Sequence, residues 1–311
     1  MGYSNRISNM MSHIRNFRLH ANKGGVEGAK WWIKKQYYRV KPDTIEGTNV
    51  FNRDWDLLII VDGCDPEWVD EVASDQSLFD QGDVGSIVSV GSGSDDWHEH
   101  TFANTPSEVL ERTAFITANP FVNQHKPQSL GFLENVREWG WVNSLGTVPA
   151  HNVTDAAIEA GRTTNFDRYV VHYMQPHAPF LKRTNSNNRE GVELSYPVKD
   201  CREPWFQVMR GNLESERLRE LYIENLRYVL DEVDLLCENF DAENAVLSAD
   251  HGNGVGETGL YGHPARVNIE RLRKVPWVPI QSVDDETFAP TIDRSSTNIS
   301  HTEQLEALGY R

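Results

Sequence analysis

The chain has 311 residues, of which 39% are hydrophobic, so it can bury a core without disulfides or structural metals. Its formal net charge is −16, from 46 acidic and 30 basic residues. A surface this acidic argues against nucleic acid as a partner, because the phosphate backbone would be repelled.

The charge is unevenly distributed along the chain. Residues 1–41 carry a net charge of +8, and the remainder carries −24. An acidic body with few lysines is typical of proteins in a salty cytoplasm, so we expect a halophilic protein. The stretch Ala29–Arg39 (AKWWIKKQYYR) mixes aromatic and basic side chains. It predicts either a helix that packs onto the acidic body, which we favour, or a peripheral contact with an anionic membrane face.

Two features bear on the cellular compartment. The stretch Met1–His20 has no apolar core of signal-peptide length, and no run of 18 apolar residues follows. We therefore expect a cytoplasmic protein, with peripheral attachment at the inner membrane face as the alternative.

The cysteines Cys64, Cys201 and Cys237 form no CxxC pair and no cluster with histidines. Their spacing argues against a disulfide scaffold and a structural zinc site.

Five apolar runs predict buried strands. They are Asp56–Asp62, Gly85–Gly91, Ala114–Ala118, Arg168–Met174 and Ala245–Ala249. Leu218–Phe240 repeats apolar residues every three or four positions, which predicts an amphipathic helix. This alternation indicates an α/β fold, a three-layer α/β/α sandwich with a mostly parallel central sheet. We divide the chain into a basic aromatic segment (1–50), a catalytic domain (51–281) and a tail (282–311).

Side chains that can bind metals or attack esters follow four of these strands. In chain order they are Asp62, Ser92 and Ser94, His177, and the pair Asp250-His251. Ligands of open α/β sheets bind at the carboxyl ends of the strands, so we expect these side chains to lie close together. The carboxylates of Asp62 and Asp250 with the imidazole of His251 would suit Zn²⁺, Mn²⁺ or Mg²⁺.

The serine-rich stretch supplies a candidate nucleophile. Ser94 stands directly before Asp95, where a helix could begin, and a helix N-terminus attracts anions. A metal ion beside it would activate the hydroxyl without a histidine base. Ser92 is the alternative; the sequence alone does not separate the two, and we favour Ser94. Glycines around Asp250 would let the backbone pass close to a metal and turn back towards His263.

Six stretches carry a resemblance to a known family. They are DWDLLIIVDGCD (Asp54–Asp65), SVGSGSDDWHEHTF (Ser89–Phe102), FITANPF (Phe115–Phe121), VVHYMQPHAPFL (Val170–Leu181), ENLRYVLDEVDLL (Glu224–Leu236) and SADHGNGVGETGLYGHP (Ser248–Pro264). In this order, over about residues 54–275, they resemble the alkaline phosphatase and sulfatase superfamily. The chain looks most similar to its sulfatase-like, lipoteichoic-acid-synthase-like branch of haloarchaeal type. The resemblance implies an alkaline-phosphatase-like fold.

The resemblance also implies roles for seven residues. It implies metal ligation by Asp62, Asp250 and His251, catalysis by Ser94 or Ser92, and contacts with the substrate's phosphate or sulfate by His177 and His263. Two-metal members carry a D-x-x-x-H pair, whereas Asp167 and His172 are five apart here. This difference favours one firm metal site, with a second site left open through His177.

The expected function is a metal-dependent hydrolase or transferase that acts on phosphate esters. Sulfatases of the family need a cysteine-centred motif that Ser92–Trp97 lacks, so phosphoryl transfer is favoured over sulfate ester cleavage. The alternatives are a sulfuric ester hydrolase, a head-group phosphotransferase and a catalytically inactive binding member of the fold. The expected partner is a phosphorylated or sulfated small molecule, a glycan or a lipid head group. We expect residues 1–41 to be dispensable for the metal site.

Overall fold

The computed structural model describes residues 2–41, 45–79, 84–185, 188–196, 204–295, 297 and 299–310. Cys201 lies outside the described residues, and Cys64 and Cys237 are buried free thiols. The described strands are β1 (Leu57–Asp62), β2 (Gly85–Val88), β3 (Thr113–Thr117), β4 (Phe132–Asn135), β5 (Arg168–Pro176), β6 (Leu181–Arg183), β7 (Val192–Leu194), β8 (Ala242–Ala249), β9 (Gly254–Val255), β10 (Tyr261–Gly262) and β11 (Lys274–Ser282). The described α-helices are α1 (Gly2–Val40), α2 (Pro66–Ala73), α3 (Ser94–Ala103), α4 (Ser107–Leu110), α5 (Val122–His125), α6 (Ala150–Thr163), α7 (Pro204–Met209), α8 (Ser215–Cys237) and α9 (His301–Ala307).

Seven strands form one central sheet, in the order β2-β11-β8-β1-β5-β3-β4. The pairs from β8 through β4 are parallel, and β11 runs antiparallel to both of its neighbours. Every residue of β1 is buried, as expected at the centre of a parallel sheet that is covered on both faces. The sheet is mostly parallel, which confirms the predicted α/β fold class.

Neighbouring residues of β5 show that helices cover both faces of the sheet. The ring of His172 packs against Trp97 and His98 of α3. The hydroxyl of Tyr173 lies 2.9 Å from the Thr154 hydroxyl of α6. Since successive side chains of a strand point to opposite faces, α3 and α6 lie on opposite sides of the sheet. The arrangement is a three-layer sandwich.

The strand β11 is the main element of the sheet that the sequence analysis did not predict. Its sequence, KVPWVPIQS, contains Pro276 and Pro279, and proline disfavours a strand with neighbours on both sides because it lacks the N–H donor. Here Pro276 lies opposite Ser86 of β2, and Pro279 lies opposite Val246 of β8. Pairing with both neighbours therefore outweighs the local preference.

The helix α1 is interrupted at Gly25, whose φ of 63° lies in the left-handed region. The two halves fold back on each other, because the ring of Trp32 lies 5.4 Å from that of Phe17. Trp31 is 4% exposed and packs in a cluster with Met209 and Leu260. Within the described part of the chain, no helix has both the length and the apolar character needed to cross a bilayer.

The helix α9 is attached to the body of the fold through Arg137, which is 2% exposed. The Arg137 guanidinium donates to Oε1 of Gln304, and Nε2 of Gln304 donates to the Arg137 carbonyl at 3.2 Å. This anchoring places Tyr310, which follows α9, against Phe121 at 4.8 Å between ring centroids.

Candidate active site

Two aspartates stand at the carboxyl ends of adjacent parallel strands. Asp62 is the last residue of β1, and Asp250 directly follows β8. The backbone N–H of Gly63 donates to Oδ1 of Asp250 at 3.0 Å. Gly63 has a φ of 70°, and a Cβ there would lie 3.1 Å from Cε1 of His251. Glycine is therefore required at position 63, in the turn that follows β1 and passes close to His251.

Each aspartate uses one carboxylate oxygen in hydrogen bonds and leaves the other free. Oδ2 of Asp62 accepts from Nδ2 of Asn119 at 2.9 Å, and Oδ1 of Asp250 accepts from the N–H groups of Gly63 and His251, both at 3.0 Å. Oδ1 of Asp62 and Oδ2 of Asp250 are buried and accept no hydrogen bond. Buried carboxylate oxygens without a donor are costly, so their arrangement fits a bound cation.

The imidazole of His251 completes the geometry of a metal centre. Its Nδ1–H donates to the Gly252 carbonyl at 2.8 Å, which leaves a lone pair on Nε2 in the neutral ring. Nε2 lies 3.3 Å from Oγ of Ser94. It lies 3.5 Å from Oδ1 of Asp62 and 3.5 Å from Oδ2 of Asp250. In tetrahedral zinc sites, bonds of about 2.0–2.2 Å put the ligand atoms about 3.3–3.5 Å apart, so these residues fit one divalent ion.

His172 is a further ligand candidate, which the sequence analysis did not select. Ligand atoms of His172, Asp62 and Asp250 all lie within 4.8 Å of one another, and all three residues are buried. Nε2 of His172 lies 3.7 Å from Oδ2 of Asp250, and neither ring nitrogen has a hydrogen-bond partner. His172 sits inside β5 opposite Ile60 of β1, so only the strand register brings it to the aspartates.

The charges of the site are strongly coupled. Burial alone would raise the pKa of Asp62, yet the imidazoles of His251, His177 and His172 hold it well below its usual range. Burial and the charge of Asp62 raise the pKa of Asp250. Burial would lower the pKa of His251, but the two carboxylates raise it to about 9. Without a metal, protons therefore compensate part of the buried negative charge.

The two candidate serines have different surroundings. Oγ of Ser94, at the first position of α3, donates to Oδ2 of Asp62 at 3.3 Å and is 1% exposed. Oγ of Ser92 lies 3.0 Å from the Pro264 carbonyl and accepts from the N–H of Val267 at 2.9 Å. The structure thus brings Ser94 to the aspartates and engages Ser92 in holding the loop after β10.

His177 and His263 lie in a row of rings that leads from His251 to Tyr310. The ring of His263 stacks on that of His251 at 4.6 Å, and His177 lies 4.8 Å from His263. Nδ1–H of His177 donates to the Ala178 carbonyl at 2.5 Å, whereas Nδ1 of His263 has no partner. Ser94, His177 and His263 all line one cavity of about 780 Å³. Both histidines are therefore beside the candidate metal centre and open to a ligand.

Two further residues of the site were missed by the sequence analysis. Asn119, which follows β3 within the FITANPF stretch, orients Asp62 through its amide. Tyr310 stacks on His177 at 5.5 Å and lines the cavity. Its hydroxyl is buried without a hydrogen-bond partner. Burial and the charges of Asp62 and Asp250 raise its pKa well above the usual value. No local pattern marks Tyr310, because α9 alone brings it there.

No family model matches the chain, and the comparison with curated proteins finds no significant match. Solved structures do share the fold. The integral membrane lipooligosaccharide phosphoethanolamine transferase A of Neisseria meningitidis aligns over 97% of this chain and 62% of its own, at 12% identity and a TM-score of 0.50. The chain therefore spans less than two thirds of that transferase.

Two other solved structures are similar at lower scores. A 2-O GAG sulfatase aligns over 76% of this chain and 64% of its own, with 13% identity and a TM-score of 0.46. A protein of the alkaline phosphatase superfamily from Vibrio parahaemolyticus aligns over 85% and 72%, with 11% identity and a TM-score of 0.39. At these identities the likeness concerns the fold.

Replacing Asp250 should abolish metal binding. Asp250→Asn removes the charge on the free oxygen, and we expect the metal content after loading to fall from about one equivalent to less than about a tenth. Asp95→Asn is the matched control, because it makes the same change in a carboxylate that is not a candidate metal ligand. The Asp95 carboxylate lies 2.7 Å from Nε2 of His125 and 3.1 Å from Nη1 of Arg266. Elemental analysis of the loaded, desalted proteins measures both. Equal metal content in the two variants would contradict the assignment.

Metal affinity should rise with pH. A ligand histidine must be neutral, and His251, with its pKa raised to about 9, carries a proton at neutral pH in the metal-free protein. Asp250 also holds its proton to higher pH than an ordinary aspartate. We therefore expect tighter binding up to about pH 9 and the release of about one to two protons per ion. Calorimetry in buffers of different ionisation enthalpy measures this proton release. Metal binding without proton release would contradict the assignment of His251 and Asp250 as ligands.

Proposed function

We propose that the protein is a metal-dependent hydrolase or transferase of phosphate esters, of the alkaline phosphatase superfamily, with Ser94 as nucleophile. The observation that supports it most is that His251 Nε2 lies 3.3 Å from Ser94 Oγ and 3.5 Å from each free aspartate oxygen, distances that occur between the ligand atoms of a tetrahedral metal site. When bound, Zn²⁺, Mn²⁺ or Mg²⁺ would supply the positive charge that stabilises the serine oxygen and the phosphoryl oxygens as negative charge develops.

Ser94 is oriented for attack by its own hydrogen bond. The hydroxyl donates to Oδ2 of Asp62, so its lone pairs are directed away from that carboxylate. Ser94 is also the first residue of α3, a ten-residue helix whose free N–H groups favour an anion at this end. We propose that Ser94 Oγ attacks phosphorus while its hydroxyl proton passes to Oδ2 of Asp62. The bond from phosphorus to the ester oxygen breaks in line with this attack, the departing oxygen takes up that proton and leaves as the alcohol, and a phosphoserine forms.

The two cavity histidines would bind the transferred group and its acceptor. Burial lowers the pKa of both His177 and His263, so both rings are neutral at pH 7. Nδ1 of His263 is unpartnered and can donate to a phosphoryl oxygen. Nε2 of His177 carries the lone pair, because Nδ1–H is bound to the Ala178 carbonyl. We propose that it accepts the proton of the water or alcohol that releases the phosphoserine.

Transfer to an acceptor alcohol is the second candidate for the last step. The cavity of about 780 Å³ extends from Ser94 to α1 and leaves space for an acceptor beside the phosphoryl group. The fold is shared with an enzyme whose name describes phosphoethanolamine transfer, at a TM-score of 0.50. We propose a phosphorylated or sulfated small molecule, a glycan or a lipid head group as substrate class, with phosphate preferred. A cytoplasmic, halophilic protein with no nucleic-acid partner remains part of this proposal.

The direct test is an assay with p-nitrophenyl phosphate, bis(p-nitrophenyl) phosphate and p-nitrophenyl sulfate, each with Zn²⁺, Mn²⁺ and Mg²⁺. We expect metal-dependent cleavage of a phosphate ester that exceeds sulfate cleavage and is lost in Asp250→Asn. Added ethanolamine distinguishes transfer from hydrolysis, since transfer yields a phosphorylated amino alcohol. A metal-loaded protein that cleaves none of the three esters would support the inactive binding member instead.

The two serines should separate in kinetics and stability. Ser94→Ala removes the nucleophile, so we expect kcat to fall about a thousandfold or more at unchanged stability. Ser92→Ala leaves the buried N–H of Val267 without its acceptor, so we expect a loss of stability of about 1–3 kcal/mol with kcat largely kept. Phosphate ester kinetics and urea unfolding measure the pair. The reverse pattern would make Ser92 the nucleophile.

Tyr310 should contribute to substrate binding through its hydroxyl. Tyr310→Phe keeps the ring stacked on His177 and removes a buried, unpartnered donor from the cavity. A hydrogen bond to a charged group contributes about 1.5–3 kcal/mol, so we expect KM for p-nitrophenyl phosphate to rise about tenfold or more, with unchanged metal content. Unchanged KM and kcat would show that the hydroxyl does not contact the substrate.

A further inference from the structure

The cavity that contains Ser94 has a basic wall formed by α1. Arg15, His20, Lys35 and Arg39 line it on this side, and Ser94, His177 and His263 line it on the other. The acidic residue among the described residues that line the cavity is Asp95, on the Ser94 side. The candidate nucleophile and the basic residues of α1 therefore face the same cavity.

Lys35 is half-buried in this wall, and its described neighbours provide no negative charge. Nδ1–H of His20 donates to the Asn16 carbonyl at 2.9 Å, so Nε2 of His20 accepts from Nζ of Lys35 at 3.3 Å. Burial and the charge of Lys35 lower the pKa of His20 to about 4, which keeps that ring neutral. Within the described chain no carboxylate lies at ion-pair distance from Lys35.

Arg39 adds a second cation one helical turn further on. Its Nη2 donates to the Ala265 carbonyl at 3.2 Å, in the loop that carries His263. Burial and the charge of Arg39 lower the pKa of Lys35 to about 8, so the two cations repel each other in a partly desolvated place. Two neighbouring cations in a partly desolvated place repel each other even though the charge of Asp96 acts on Arg39, and an anion bound between them would relieve that cost.

We propose that Lys35 and Arg39, with His20 holding Lys35 in place, form a binding site for a second anionic group of the substrate. The substrate is then a phosphate ester that carries another phosphate or carboxylate, with the reacting phosphate at Ser94 and the second group at α1. This assignment rests on the proposed function for the identity of the reacting group. The anion site itself rests on the geometry of α1.

Direct contact is required because long-range attraction is weak here. Residues 1–41 carry +8 and the rest of the chain carries −24, so most of the surface repels an anionic substrate. In concentrated salt the screening length falls to about 3 Å at 1 M, and charges act mainly on groups they touch. A pair of cations inside the cavity would still recognise an anion under those conditions.

The first experiment measures the anion site without catalysis. Inorganic phosphate is titrated into the metal-free full chain while tryptophan fluorescence is recorded, since Trp31 and Trp205 line the cavity. We expect saturable binding that weakens at least tenfold in Lys35→Met and is restored in large part in Lys35→Arg. Lys30→Met is the matched control, because Lys30 lies on the same helix, is exposed and pairs with Glu27. Equal affinity in Lys35→Met and Lys30→Met would overturn the proposal.

The second experiment identifies the source of the anion. Glucose 6-phosphate, glucose 1,6-bisphosphate and phosphatidylglycerol vesicles compete with p-nitrophenyl phosphate on the metal-loaded enzyme. We expect the bisphosphate to inhibit the wild type at least tenfold better than the monophosphate does. In Lys35→Met we expect this preference to be lost, so that the two compounds inhibit about equally. Inhibition by vesicles instead, lost in Lys35→Met, assigns the second anion to a lipid head group. If each compound inhibits the wild type and Lys35→Met equally well, the assignment is overturned.

The two proposals fail separately. If p-nitrophenyl phosphate is not cleaved but phosphate binding depends on Lys35, the proposed function is wrong and the anion site stands. If cleavage depends on Ser94 and metal but neither phosphate binding nor bisphosphate selectivity depends on Lys35, the anion site is wrong and the function stands. Far-ultraviolet circular dichroism checks that each variant keeps the total helix content of the wild type.

Discussion

Two buried carboxylates, each with one oxygen that accepts no hydrogen bond, determine the rest of this site. Asp62 and Asp250 have no solvent exposure, and one oxygen of each is unpartnered. Their like charges cannot both persist in a buried place without a cation, so the pKa of Asp250 rises while that of Asp62 stays low. The surrounding groups either hold these two carboxylates, as Gly63 and Asn119 do, or add the missing ligand, as His251 does.

The fold holds the two carboxylates of Asp62 and Asp250 close together. The strands β1 and β8 are adjacent, parallel and central, so their backbone groups are hydrogen-bonded within the sheet. The start of α3 then places Ser94 beside the carboxylates, and Ser94, His177 and His263 line the cavity. Elements distant in sequence complete it, since α1 provides a basic wall and α9 carries Tyr310 into it. The candidate metal ligands therefore lie at the carboxyl ends of the sheet strands, and residues of α1 and those that follow α9 line the cavity.

Much of the sheet and the main acidic cluster could be predicted from the sequence. Buried parallel strands are apolar runs, and the run predicted as Asp56–Asp62 is observed as β1, Leu57–Asp62. The long helix predicted at Leu218–Phe240 is observed as α8, Ser215–Cys237. Because adjacent parallel strands end at one edge, the proximity of Asp62 to the Asp250-His251 pair followed from the fold class. Their roles as ligands remain predictions.

Other features depend on contacts that no local pattern encodes. Ser92 and Ser94 differ because a loop about 170 residues later binds Ser92, and His172 joins the aspartates through strand register. The two prolines of β11 argue locally against a strand. Residues 1–41 were expected to be dispensable for the metal site, and the described part of α1 lines the same cavity as Ser94 without contributing to the acidic cluster. Tyr310 is likewise placed only by the packing of α9.

The central claim is that Asp62, Asp250 and His251 hold one divalent ion beside Ser94. Anomalous diffraction at the zinc edge, from crystals of the full chain soaked in Zn²⁺, tests it most directly. The account predicts one strong peak at about 2.0–2.2 Å from Oδ1 of Asp62, Oδ2 of Asp250 and Nε2 of His251, with Oγ of Ser94 as the fourth neighbour. A peak bound by His172 in place of His251, or no peak between the two aspartates, would contradict it.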